Sequence, residues 1–226
     1  MRYPNLRDEK KLWRKGFKRV ACLDEAGRGP LAGPVVAAAV VLNSKFKIHN
    51  LKIKDSKKLT PKKREEFYKI LNKNPAIEWG IGRVSEKVID KINIKNAAEL
   101  AMEKAIRKLK HHPDFLIIDG NHINSKKLKA KSYKLIVKAD EKVFSCACAS
   151  IIAKVTRDRI MKRYHKKYPQ YGFDKHKGYP TKYHIKMLKK YGSCKIHRKS
   201  FKPVKNIVNP VRNSGPYQKY LSAICF

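Results

Sequence analysis

Apolar residues fall into short continuous runs, each broken by turn residues. Val20-Ala21-Cys22-Leu23 runs into Asp24-Glu25, and Val35 to Leu42 is apolar at every position. Both read as buried strands, as does Phe115-Leu116-Ile117-Ile118, which stops at Asp119-Gly120-Asn121. Trp79 to Val84 and Leu135-Ile136-Val137 are two further strands, the second followed by Lys138-Ala139-Asp140. Elsewhere the spacing is helical. Thr60 before Pro61 reads as an N-cap opening a helix to about Asn72, with Phe67, Ile70 and Leu71 as its buried stripe. A helical stretch from Ser85 to Lys110, broken near Asn93, spaces Ala97, Leu100, Ala101, Ala105 and Leu109 along one face. A long helix from Phe144 to Tyr164 carries Ile151, Ile152, Val155 and Met161, and a short basic helix covers Thr181 to Tyr191. Strands first, then strands alternating with helices, predict an α/β domain with a mixed sheet.

Composition fits one domain. The chain has 226 residues, 42% of them hydrophobic, enough to bury a core. No apolar run reaches the length of a membrane span, and residues 1–18 lack the apolar centre of a signal peptide. Five cysteines argue against a disulfide framework and for a reducing, cytoplasmic setting. The sheet core is expected over residues 19–142 and a helical basic part over 143–203. Residues 204–226 lack periodicity and read as a flexible extension.

The formal charge of +37 points to a polyanionic partner, nucleic acid first. Only two of the 18 acidic residues, Asp158 and Asp174, lie after residue 141, so that part holds about half the net charge. Against this, 42 of the 55 basic residues are lysine, and a lysine-rich solvated surface is ordinary.

Three apolar runs lead into Asp24, Asp119 and Asp140, and Glu25 follows Asp24. A carboxylate beside a buried strand is costly unless paired or metal-bound. Such residues often cap turns, and Asp119-Gly120 is itself a turn signal. Gathered at the strand ends of an α/β sheet, they would suit Mg²⁺ or Mn²⁺. Two ions about 3.5–4 Å apart could run phosphodiester hydrolysis.

At these residues the chain resembles the ribonuclease HII family. The resemblance rests on Asp24-Glu25-Ala26-Gly27-Arg28-Gly29-Pro30-Leu31-Ala32-Gly33-Pro34-Val35, then Asp55-Ser56-Lys57-Lys58-Leu59, Ile118-Asp119-Gly120 and Asp140. It continues through Ala149-Ser150-Ile151-Ile152-Ala153-Lys154-Val155-Thr156-Arg157-Asp158 and His176-Lys177-Gly178-Tyr179. It implies an RNase H-like fold, a mixed sheet flanked by helices with a helical C-terminal part. It implies an endonuclease that cuts RNA in RNA–DNA hybrids and beside ribonucleotides embedded in duplex DNA, leaving 3′-hydroxyl and 5′-phosphate ends. Asp24, Glu25, Asp119 and Asp140 match the family's metal-binding carboxylates, with two Mg²⁺ or Mn²⁺ ions expected. Gly27-Arg28-Gly29 matches the loop that recognises a ribose 2′-hydroxyl, the group that separates RNA from DNA. Tyr179 matches a tyrosine that stacks on the neighbouring deoxyribose, and Lys57 a lysine near the scissile phosphate. A monomer without membrane association is expected.

The sequence departs from the family at Ala139, where glycine is expected before the aspartate, at Cys146-Ala147-Cys148, and at Pro180. The related ribonuclease HIII family carries a long N-terminal domain and a Gly-Lys-Gly loop, which this chain does not match. Asp158, between Arg157 and Arg159, reads as an ion-pair residue, and His176 as a structural loop residue. Cys194 and His197 have metal-like spacing but no second pair, so zinc is not expected. Two other readings stand beside the ribonuclease. One is a non-catalytic nucleic-acid binder whose carboxylates only cap turns, and the other is a two-metal DNA nuclease of the same fold class.

Overall fold

The computed structural model describes residues 3–44, 46, 53, 59–123, 128 and 132–207. Lys57, with Asp55, Ser56 and Lys58, lies outside the described residues, as does the tail beyond 207. Five strands form one sheet: β1 (Val20–Ala26), β2 (Val35–Leu42), β3 (Ile77–Val84), β4 (Phe115–Asp119) and β5 (Tyr133–Ile136), in the order β3-β2-β1-β4-β5. The first three pair antiparallel, while β4 and β5 run parallel to β1, giving the mixed sheet the pattern predicts.

Among the described residues the helices are α1 (Arg7–Arg14), α2 (Pro61–Lys73), α3 (Glu86–Ile106), α4 (Ala139–Lys142), α5 (Phe144–Lys167), α6 (Phe173–His176), α7 (Lys182–Tyr191) and α8 (Lys202–Lys205). Two of them cover the sheet, and β2 shows why its run is apolar throughout. Ala38, Val40 and Leu42 pack with α5 residues such as Ala147, Ile151 and Val155. Alternate residues Ala37, Ala39 and Val41 pack with Ala97, Ala101 and Ala105 of α3 on the other face. A strand covered on both faces has no position for a polar side chain.

Local signals set most boundaries. Thr60 caps α2 as expected, its hydroxyl accepting from the Lys63 N–H at 3.3 Å. Asn93 breaks α3 with φ 63°. Two expectations fail. Ile70 is 43% exposed, because the face of α2 that meets the core carries Phe67, Tyr68 and Leu71. Val137 lies beyond β5 and is 56% exposed, because Lys138, at φ 56°, turns the chain into α4. The N-terminus, which showed no element in sequence, forms α1. Its buried Glu9 accepts from the Ser145 N–H at 3.0 Å and hydroxyl at 2.6 Å.

Candidate active site

Register brings the first two aspartates together. Leu23 of β1 pairs with Ile118 of parallel β4, so the next residues along, Asp24 and Asp119, come side by side. Asp24 and Glu25 lie within β1 rather than after it. Asp24 shares the α5-facing side with Cys22, and Ser150 of α5 hydrogen-bonds its carboxylate. Asp119 ends β4, and its Oδ1 accepts from the Ala139 N–H at 2.9 Å. That contact links β4 to the first turn of α4, which carries Asp140. Asp140 therefore stands on a helical turn, not at the end of its strand.

Ligand oxygens of Asp24, Asp119 and Asp140 lie within 4.8 Å of one another, the metal-capable cluster found among the described residues. Asp24 and Asp140 are buried. Burial first, then the charges of Glu25 and Asp119, pushes the Asp24 carboxyl well above the usual range. Three hard carboxylate oxygens crowded at one spot fit a small divalent cation that offsets their repulsion. Glu25 stands outside this close set, its Oε1 accepting from Arg28 Nη1 at 3.2 Å. Beside the aspartates opens a cavity of about 470 Å³, lined by Asp119, Gly120, Asn121, Lys138 and Asp140 among others.

The glycine-rich loop between β1 and β2 is held from below by two fully buried arginines. Arg198 donates to the carbonyls of Gly27 (2.6 Å), Arg28 (2.9 Å) and Gly33 (2.9 Å). Arg157 donates to Pro34 (3.0 Å), Ala32 (3.1 Å) and Lys177 (3.0 Å). Gly27 is required on two counts. Its φ is 99°, and a Cβ there would collide with the Arg157 side chain. The arginines leave the loop's outer side open, where the Arg28 side chain projects.

Tyr179 reaches the same loop from the other side. The Leu31 N–H donates to the Gly178 carbonyl at 2.8 Å, so the two loops are stitched together. A Cβ on Gly29 would stand 3.6 Å from Tyr179 Cε1. The ring is 41% exposed, with Lys154 Nζ 5.9 Å and Arg157 Cζ 6.0 Å from its centroid. A cavity of about 280 Å³ beside it is lined by Arg64, Lys154, Lys162, Lys175 and Lys177 among others.

Asp158 is an ion-pair residue, but its partners are Lys154 at 2.8 Å and Arg64 at 3.9 Å. Its neighbours Arg157 and Arg159 point elsewhere, because adjacent residues on a helix do not face each other. His176 is structural, its Nε2 donating to the Tyr171 carbonyl and its Nδ1 accepting from the Gly178 N–H. Cys146 and Cys148 are packed in the core. Cys194 Sγ lies 3.1 Å from His197 Nδ1, and neither joins a metal-capable group among the described residues. Nothing in the sequence marks Arg157 and Arg198 as loop supports. Their partners are main-chain carbonyls, which leave no mark on residue type.

The sequence model of the family Ribonuclease HII matches residues 21–204. A ribonuclease HII of Caldicellulosiruptor bescii is 50% identical over 201 residues, spanning 89% of this chain and 94% of that protein. One from Chlamydia trachomatis serovar A is 50% identical over 194 residues, 86% of this chain and 87% of the other. The ribonuclease H2 structure from Pyrococcus horikoshii OT3 superposes with a TM-score of 0.71 at 30% identity, covering 84% of this chain and 96% of that one. The Archaeoglobus fulgidus RNase HII, solved in complex with PCNA, superposes with a TM-score of 0.70 at 27% identity, covering 88% and 99%. The mixed sheet and its flanking helices are those of the RNase H-like fold.

Proposed function

The chain belongs to the ribonuclease HII family and is a ribonuclease H, and from that premise we propose that it cuts RNA in RNA–DNA hybrids and beside single ribonucleotides in duplex DNA. The observation that carries this reading is the Asp24–Asp119–Asp140 cluster set beside the loop of Gly27, Arg28 and Gly29.

In this reading Asp24, Asp119 and Asp140 hold the metal, with Glu25 as the fourth carboxylate. Two Mg²⁺ or Mn²⁺ ions bound there would supply an activated water and neutralise charge on the leaving oxygen, so the ends are 3′-hydroxyl and 5′-phosphate. The protein's own part is orientation. Ser150 and the Ala139 N–H fix two of the carboxylates. The main chain of Gly27 and Gly29 approaches the ribose 2′-hydroxyl, with Arg28 beside it, and only a residue without Cβ permits that approach. Tyr179 lays its ring on the deoxyribose that follows. Lys57 would stand near the scissile phosphate. Basic residues around the Tyr179 cavity draw in the backbone. The enzyme acts as a monomer in the cytoplasm. The free thiols among the described residues suit that reducing setting, and no described helix is long and apolar enough to cross a membrane.

A substrate panel tests the reading. With Mg²⁺ or Mn²⁺, a duplex bearing one ribonucleotide and an RNA–DNA hybrid should be cut, and an all-DNA duplex should not. Equal cutting of all three would favour a DNA nuclease, and binding with no cutting would favour a non-catalytic binder.

A further inference from the structure

Two buried histidines form a directed hydrogen-bond chain that ends on the main chain of Tyr179. His197 Nδ1 lies 2.9 Å from the Cys194 N–H. A backbone N–H can only donate, so Nδ1 is an acceptor and the ring proton of neutral His197 sits on Nε2. That Nε2 lies 3.0 Å from His184 Nε2, which must then accept. The proton of His184 is left on Nδ1, 2.9 Å from the Tyr179 carbonyl, which can only accept. Assigning protons from the carbonyl end gives the same result. Both rings are fully enclosed, and burial pushes them down to about 4 for His184 and about 3 for His197, so both are neutral at pH 7.

The chain fixes a short loop. Thr181 closes a hydrogen bond back to the same Tyr179 carbonyl at 2.8 Å, and its hydroxyl accepts from the His184 N–H at 3.2 Å. His176 stacks on His184 with ring centroids 4.5 Å apart, while its carbonyl accepts from the Tyr179 N–H at 3.0 Å. Both main-chain groups of Tyr179 are therefore tied to the histidine cluster, which fixes where its exposed side chain leaves the backbone beside Gly29.

We infer that His184, oriented by His197, is a positioning residue for Tyr179 and so sets selectivity for the RNA–DNA junction. This rests on the proposed role of Tyr179 at the deoxyribose. His184 is fully buried and stands outside the aspartate cluster, and acts through one carbonyl. Displacing a group from its working position by about 1 Å can cost roughly 100-fold in rate. Loss of the chain should therefore weaken junction cutting while leaving hydrolysis in a continuous hybrid much less affected.

The test compares kcat/KM on a single-ribonucleotide duplex and on a continuous RNA–DNA hybrid. His184→Leu should lose roughly 10- to 100-fold on the first and much less on the second. His184→Asn, whose Nδ2 can replace Nδ1 as donor to the Tyr179 carbonyl, should recover most of the loss. His184→Leu combined with Tyr179→Ala should be no worse than Tyr179→Ala alone, because both act through one side chain. Tyr179→Ala with undiminished junction cutting would overturn the tyrosine's role and this inference with it. Tyr179→Ala with lost selectivity beside a folded His184→Leu that keeps it would overturn the inference alone. Imidazole ¹⁵N NMR of the unmodified protein does not depend on how any variant folds. The inference requires His184 protonated at Nδ1 and His197 at Nε2, and the opposite tautomers would refute it.

Discussion

Arg198 donates from Nη2 to the Gly27 carbonyl at 2.6 Å, so a fully buried cation reads the backbone of the loop that carries Gly27-Arg28-Gly29. Together with Arg157 it serves six main-chain carbonyls of the two loops, and no carboxylate is among these contacts. Burial pushes Arg198 down to about 9 and Arg157 down to about 10, which still leaves both charged at pH 7. The carbonyls offset the cost of burying the charge, and the charge in turn fixes where they point.

Arg198→Met should therefore strand three carbonyls, of which those of Gly27 and Gly33 are buried. The expected loss is on the order of 3 kcal/mol of stability, since each unsatisfied group costs about 1–3 kcal/mol. Arg198→Lys should rescue little, because one ammonium cannot span the positions a planar guanidinium serves. Thermal unfolding and kcat/KM on a single-ribonucleotide duplex check both variants. A lysine variant as stable and active as the unmodified protein would show that the fork geometry is unimportant.

Asp24→Asn should separate stability from activity. The folded protein confines three carboxylates that the unfolded chain keeps apart, and the Asp24 carboxyl is raised first by burial and then by its acidic neighbours. A raised carboxyl means the folded state is penalised as pH climbs above the unfolded value near 4. Removing that charge should stabilise the metal-free protein by about 1 kcal/mol at pH 7 and abolish cutting. Added Mn²⁺ should raise the unfolding temperature of the unmodified protein more than that of the variant.

Acid should loosen the Tyr179 loop. His184 and His197 stay neutral in the folded protein until about pH 4 and 3, whereas in the unfolded chain they take up protons near 6.5. The unfolded state thus binds more protons within that window. Their contribution to stability is complete above about pH 6.5 and is lost as pH falls toward 4. Denaturant unfolding between pH 7 and 4.5 should show this decline, and it should be smaller in His184→Asn. Equal slopes for the two proteins would contradict the neutral pair.

Much of this was legible in sequence because the informative residues are local. The eight apolar residues of β2 read as a buried strand, and Thr60-Pro61 and Asn93 mark α2 and the α3 break on their own. The aspartates stood out as charge against apolar runs. Their meeting depends on the Leu23–Ile118 register between strands some 95 residues apart, which no window of sequence contains. Ile70 and Val137 misled for the reverse reason. Hydrophobicity alone does not say which flank of a helix, or which end of a strand, meets the core. The charge of +37 is the least specific clue, since the candidate metal cluster draws on three of the 18 acids. Arg157 and Arg198, counted among the basic residues, spend their charge inside the protein.

The most direct test of metal-dependent junction cutting is a metal titration on an end-labelled duplex containing one ribonucleotide, run with the unmodified protein and with Asp119→Asn. The expected result is no cutting without divalent metal, cutting that rises with Mg²⁺ or Mn²⁺ and yields 3′-hydroxyl and 5′-phosphate ends, and none with Asp119→Asn despite retained binding. Cutting in the presence of a strong chelator, or undiminished cutting by Asp119→Asn, would contradict it.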